Sequence, residues 1–147
     1  MVIKYYEDEI IEGEKSLFLA GPSTLVKGIT WRNEALKILQ DLEYDGVVYV
    51  PEFRNVTTIY DADKQFHWER KGLFNSTSLI FWIPRKIPEI LAMNTNVEFG
   101  YWVKSSKGLY GRPDESDNNE GLDMLYRYER NLEPHNKLED LLKEAIK

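Results

Sequence analysis

The stretch SLFLAGPS, Ser16 to Ser23, opens with five residues that show no polar alternation and then stops at Gly21-Pro22. A continuous apolar run bounded by turn residues predicts a strand covered on both faces, as in a parallel sheet. Two further runs have this character: GVVYVPE, Gly46 to Glu52, and SLIFWIP, Ser78 to Pro84, each closed by proline. Between the first two lies TWRNEALKILQDL, Thr30 to Leu42. Thr30 is placed to cap it, and Trp31, Ala35, Leu36, Leu39 and Leu42 follow helical spacing. DADKQFHWERKGLF predicts a helix from about Ala62 to Leu73, and the third run is followed by the loop RKIPEILAMN and a helix from Thr95 to about Ser105. KGLYGRP holds a short fourth strand around Leu109 and Tyr110, DESDNNEG is a solvated acidic loop, and helices over about Leu122–Arg130 and Asn136–Ile146 close the chain. Alternating strands and helices predict an α/β domain spanning 1–147, with a mainly parallel sheet and right-handed crossovers.

The 147 residues include 13% aromatics, no Cys and two His, with a net charge of −6. Disulfides and thiolate chemistry are excluded, and His67 and His135, far apart in sequence, argue against a zinc site or a His-based triad. The acidic balance argues against a nucleic-acid polymer as partner. No apolar run approaches the roughly 20 residues of a membrane span, and MVIKYYEDEIIEGEK is too acidic for a signal peptide, so a cytoplasmic protein is expected.

Ligands of open parallel sheets bind outside the carboxyl ends of the strands. Gly21-Pro22-Ser23, Pro51-Glu52 and Arg85 fall at that edge, and Glu98 enters from the following helix. Gly21 serves either a plain turn or a close approach of ligand to backbone, with Ser23 or Thr24 offering a hydroxyl. Thr95 and Glu98, in TNVEFGYW, have the spacing of a capping box, so Glu98 is either a helix cap or a reactive carboxylate held at a helix start. Glu69, in HWER, is either solvated or the second carboxylate of a pair on one rim; in retaining glycosidases such pairs stand about 5–5.5 Å apart. Arg85 either salt-bridges Glu89 or Glu98 or holds an anionic ligand group.

SLFLAGPS, WRNEAL, VYVPE, WE, FWIPR and TNVEFGYW, in that order, with YGRP after them, resemble the nucleoside 2-deoxyribosyltransferase-like superfamily. The resemblance implies a flavodoxin-like three-layer fold. It implies Glu98 as the nucleophile on C1′ of a nucleoside or nucleotide, and Glu69 as the acid that assists at the nucleobase. Gly21, Pro22, Ser23, Phe18, Trp68, Arg85, Asn94 and Thr95 are the candidate binding residues, Asn94 or Thr95 fixing the Glu98 rotamer. Phe66 and Trp82 are further stacking candidates, with core packing the alternative for each aromatic. No metal or cofactor is required, and a homodimer or larger homo-oligomer is expected, neighbouring subunits completing the site after YGRP. This chain departs from its relatives at three points. Leu17 stands where a first-strand tyrosine supports the nucleophile, LAMNTN lacks an aspartate before it, and Ser78 replaces an aspartate at the third strand. Transfer to a second base and hydrolysis are therefore both open, as is a binding module on the same fold without turnover.

Overall fold

The computed structural model describes residues 1–23, 30–55, 59 and 61–147. The elements run β1 (Val2–Lys4), β2 (Ser16–Ala20), α1 (Trp31–Asp41), β3 (Val47–Tyr49), α2 (Ala62–Asn75), β4 (Ser78–Trp82), α3 (Met93–Trp102), β5 (Gly108–Gly111), α4 (Glu120–Arg130) and α5 (Leu138–Ala145). The five strands form one all-parallel sheet in the order β1-β3-β2-β4-β5. Helices cover both faces, giving the three-layer α/β architecture of the flavodoxin-like type.

The absence of alternation in the strands has a direct cause: successive side chains enter two different cores. Leu17, Leu19, Val48, Val50, Ile80 and Trp82 pack with Trp31, Ala35 and Leu39 of α1 and Leu138, Leu141 and Leu142 of α5. Phe18, Ala20, Val47, Tyr49, Leu79 and Phe81 pack with Leu73 of α2, Phe99 and Val103 of α3, and Tyr126 of α4. Both faces are dry, so every position of the run must be apolar.

Two local devices set α2. The Asp61 carboxylate caps it, accepting from the backbone N–H groups of Asp63 and Lys64 at 3.1 Å each. Gly72 lets it press on the sheet, since a Cβ there would stand 2.5 Å from the Phe18 ring.

Four expectations need correcting. The helix expected from Thr95 begins at Met93, with Ala92 at its N-cap in the left-handed region (φ 54°) and no side-chain cap. Thr95 therefore lies inside the first turn and Glu98 one turn further in, so the capping box does not form. Thr30 occupies the N-cap of α1, but its hydroxyl is buried without a partner among the described residues. The acidic N-terminus contributes the edge strand β1, which three residues are too short to announce by pattern. The closing helix α5 starts at Leu138 rather than Asn136, because the chain around His135 instead bridges to Gly111, and it ends at Ala145 with Ile146 as its C-cap. No described helix is long and apolar enough to cross a membrane.

Candidate active site

The sheet order reverses at β2: the chain steps to β3 on one side and then crosses to β4 on the other. A crevice opens beyond the carboxyl ends of the strands at such a reversal. Here it is a cleft of about 450 Å³ between the turn after β2, the middle of α2 and the entry to α3.

The turn is built by Gly21 and Arg32. Gly21 has φ +140°, and a Cβ on it would lie 2.3 Å from the Trp82 carbonyl oxygen. Only glycine lets the chain cross the end of β4 so closely. Arg32 is 1% exposed. Its Nε donates to the Leu19 carbonyl at 3.0 Å, Nη2 to the Gly21 carbonyl at 2.7 Å, and Nη1 to Ser23 Oγ at 3.1 Å and Glu52 Oε1 at 2.7 Å. One guanidinium thus ties the end of β2 to the segment after β3, as its planar fork of five donors allows. The Trp31 indole adds a bond from Nε1 to the Pro22 carbonyl at 3.0 Å.

Two carboxylates face this turn across the cleft, Glu69 from α2 and Glu98 from α3. The Tyr6 hydroxyl donates to Glu69 Oε1. Tyr6 is itself clamped by Phe53 and Trp68, with ring centroids 4.9 and 5.0 Å away. Burial raises the Tyr6 phenol far above its ordinary value, and the Glu69 charge raises it further, so it remains a donor. Burial also raises Glu69, opposed by the Tyr6 hydrogen bond, the Arg32 charge and the Gln65 amide. Glu98 is pushed up to about 7, first by burial and then by the charge of Glu69, with Arg32 pulling the other way. Like charges in one desolvated site resist double ionisation, so the Glu69 charge favours the protonated form of Glu98.

Glu69, Glu98, Gly21, Pro22, Ser23, Phe18, Asn94 and Thr95 all line the cleft. Neither Asn94 nor Thr95 hydrogen-bonds Glu98, which has no hydrogen-bond partner among the described residues. Trp68 stands behind the cleft wall, donating from Nε1 to the Asp8 carbonyl at 2.7 Å and packing on Phe18 and Tyr6. Phe66 lies exposed on α2, and Trp82 faces the opposite core with α1 and α5. Arg85 is buried away from the cleft, donating from Nη2 to Asn96 Oδ1 and pairing with neither Glu89 nor Glu98. Leu17 points into the opposite core, so it does not occupy the place of a supporting tyrosine. Ser78 Oγ donates to the Ala145 carbonyl at 3.3 Å, at the other end of β4. Thr24 lies outside the described residues.

The sequence reading passed over Tyr6, Arg32 and Gln65 as site residues. Arg32 carried a signal: a charge at the second position of α1, on the same helical face as Ala35, Leu36 and Leu39. Tyr6 and Gln65 carried none, because their roles depend on β1 and α2 meeting in space.

A parallel sheet covered by helices on both faces, with a two-carboxylate cleft at its switch point, places the chain among the three-layer α/β proteins. More specifically, the chain belongs to the nucleoside 2-deoxyribosyltransferase-like family, whose model matches residues 14–115. A comparison with curated proteins finds no match.

Proposed function

We propose that the protein cleaves or exchanges the N-glycosidic bond of a nucleoside or its 5′-monophosphate, with Glu98 as nucleophile. The observation that carries this reading is the state of Glu98: a desolvated carboxylate without a hydrogen-bond partner among the described residues, in the same cleft as a second carboxylate that Tyr6 holds in place. A structural carboxylate at such a position would be paired.

The proton that burial and the Glu69 charge keep on Glu98 gives the step its balance. Moving it from Glu98 to Glu69 makes Glu98 the nucleophile and Glu69 the acid. Glu98 attacks C1′ through an oxocarbenium-like transition state as the glycosidic C–N bond breaks. The base leaves with the bonding electron pair and takes the proton from Glu69. Water or a second base then attacks C1′ and releases Glu98. Phe18 offers the cleft an apolar wall, and the Gly21-Pro22-Ser23 turn brings backbone close to the ligand.

The functional unit in this reading is a homo-oligomer, since α3 presents Met93, Val97 and Tyr101 to solvent along one stripe that begins at the cleft. The decisive experiment is mass-spectrometric detection of free base from a panel of nucleosides and 5′-monophosphates, with and without a second base, for wild type and Glu98→Gln. A new nucleoside formed by wild type alone identifies a transferase, and free base without exchange a hydrolase. Ligand binding without product, unchanged in Glu98→Gln, overturns the enzyme in favour of a binding module.

A further inference from the structure

Thr95 sits one turn before Glu98 on α3 and lines the cleft with it. The residue is 5% exposed, yet its hydroxyl has no hydrogen-bond partner among the described residues. A buried threonine inside a helix can bond back to the carbonyl four residues earlier. No such bond to Leu91 forms here, where the chain enters α3 through Ala92 in the left-handed region. The unpartnered polar atoms that are sealed from solvent are Thr30 Oγ1, Tyr44 Oη, Gln65 Oε1 and Arg85 Nε. Thr95 Oγ1 is not one of them, so it is both unpartnered and accessible from the cleft. The amides around it are also unspent. Among the described residues, the first backbone N–H of α3 to find a carbonyl is that of Asn96, on Ala92. The wall beside Glu98 thus offers hydrogen-bond donors to an oxygen-bearing group.

Which group comes there follows from the stereochemistry of attack. Helical side chains lean toward the helix N-terminus, so the Glu98 carboxylate reaches back over the turn that holds Thr95. In a β-nucleoside the base projects from one face of the sugar, and a nucleophile displacing it approaches the opposite face. The 2′-hydroxyl of a ribose projects from that opposite face, on the carbon next to C1′. We propose that Thr95 reads this 2′-hydroxyl, so that the cleft selects ribonucleosides over 2′-deoxyribonucleosides. The proposal rests on the reading of Glu98 as the nucleophile on C1′. A hydroxyl both gives and takes a hydrogen bond, so Thr95 Oγ1 and the 2′-hydroxyl satisfy one another. A 2′-deoxy sugar brings a CH2 group to the same place and leaves the buried hydroxyl stranded. Sites built to bond a substrate hydroxyl discriminate strongly against the analogue lacking it. The 5′ substituent lies on the face of the base, away from α3, so the selection holds for nucleosides and 5′-monophosphates alike.

The test measures kcat/KM for base release from paired ribo- and 2′-deoxyribonucleosides of adenine, guanine, hypoxanthine, cytosine and uracil, and from their 5′-monophosphates. A 3′-deoxyadenosine control probes the other hydroxyl on the attacked face. Wild type is expected to favour the ribo member of each pair it accepts by at least about tenfold. That preference runs against intrinsic reactivity, since the electron-withdrawing 2′-hydroxyl makes the ribosyl C–N bond the slower to break. Thr95→Val, close in shape but without the hydroxyl, is expected to lose that factor on ribonucleosides alone, and Thr95→Ser to keep it. A wild type that favours the deoxy members, or handles both equally, overturns the proposal whether or not the variants fold. A Thr95→Val that is folded by circular dichroism and keeps the ribo preference also overturns it, even if both members slow, because a group acting only through Glu98 would do that. If Thr95→Val removes the penalty for 3′-deoxyadenosine and not that for 2′-deoxyadenosine, Thr95 holds the other hydroxyl and the proposal fails. Where no pair releases base, calorimetry on the same pairs decides. Tighter binding of the ribo members then overturns glycosidic cleavage but supports the selectivity, and equal binding or none overturns both.

Discussion

At the scale of single residues, Glu98 makes opposite demands on activity and on stability. Its proton affinity is raised in the folded protein, from 4.5 to about 7. Between these two values the folded state holds a proton that the unfolded state has released. The contribution of Glu98 to stability is therefore full below about pH 4.5 and is lost as pH rises through 7. Glu98→Gln removes the buried charge. At pH 8 it is expected to be more stable than wild type by about 1–3 kcal/mol in denaturant titration, the partial exposure of the group trimming the full linkage value. A carboxylate serving as a helix cap would give the reverse, a loss on the order of 1 kcal/mol. The same variant is expected to lose base release by at least about a thousandfold, as removal of a nucleophile does. In wild type kcat/KM is expected to fall as pH rises through about 7, because the proton that Glu69 delivers to the base is the one Glu98 gives up there, and a pH–rate profile checks it. Arg32 behaves differently. Arg32→Met strands Glu52 and the Leu19 and Gly21 carbonyls, and breaking a buried pair from one side costs about 3–5 kcal/mol. Urea unfolding measures that loss.

At the scale of elements, α2 is the part on which the site depends most. It carries both Glu69 and Gln65, and its height above the sheet is set by Gly72 against Phe18. Gly72→Ala places a methyl group 2.5 Å from that ring, against both the helix and the cleft wall. It is expected to destabilise the protein by about 1–3 kcal/mol, as overpacking does. It should also lower kcat/KM, because Phe18 and Glu69 both line the cleft. Thermal unfolding and base release on the same preparation check the two effects together. The elements themselves were largely legible: β2, β3, β4 and the helices between them follow from apolar runs and helical periodicity, since burial on both faces imposes a simple pattern. Glu69 and Glu98 were legible as rim candidates because topology places strand ends at ligands. The start of α3 was not legible. Thr95 and Glu98 have the spacing of a capping box, but the chain enters the helix two residues earlier through Ala92 in the left-handed region, a conformation alanine does not advertise. Tyr6 was hidden for a different reason. Its place beside Glu69 follows from three residues of β1 pairing with β3, and such a short edge strand has no periodicity to read.

At the scale of the whole molecule, the face formed by α2 and α3 exposes several large apolar side chains. Met93, Val97 and Tyr101 are 68, 74 and 60% exposed, at helical spacings of four that align them on one stripe. On α2 Phe66 and Phe74 are also exposed, Phe74 meets Tyr101 with ring centroids 6.4 Å apart, and the Arg70 guanidinium lies over both of those rings. The α3 stripe thus meets α2 at Phe74 and Arg70, and Met93 carries it to the rim of the cleft. A second copy of the chain about a two-fold axis would bury this patch against itself, as isologous contacts do. It would also close the cleft from the side where α3 begins. Light scattering coupled to gel filtration is expected to give twice the mass of one chain or a multiple of it. Val97→Glu puts a charge at the centre of the patch, where it meets its own copy across the axis, and is expected to yield monomers that remain folded. If the partner also closes the cleft, base release falls with the dimer and recovers at high protein concentration. A monomeric wild type, or a Val97→Glu monomer with undiminished activity at low concentration, would remove the partner from the site.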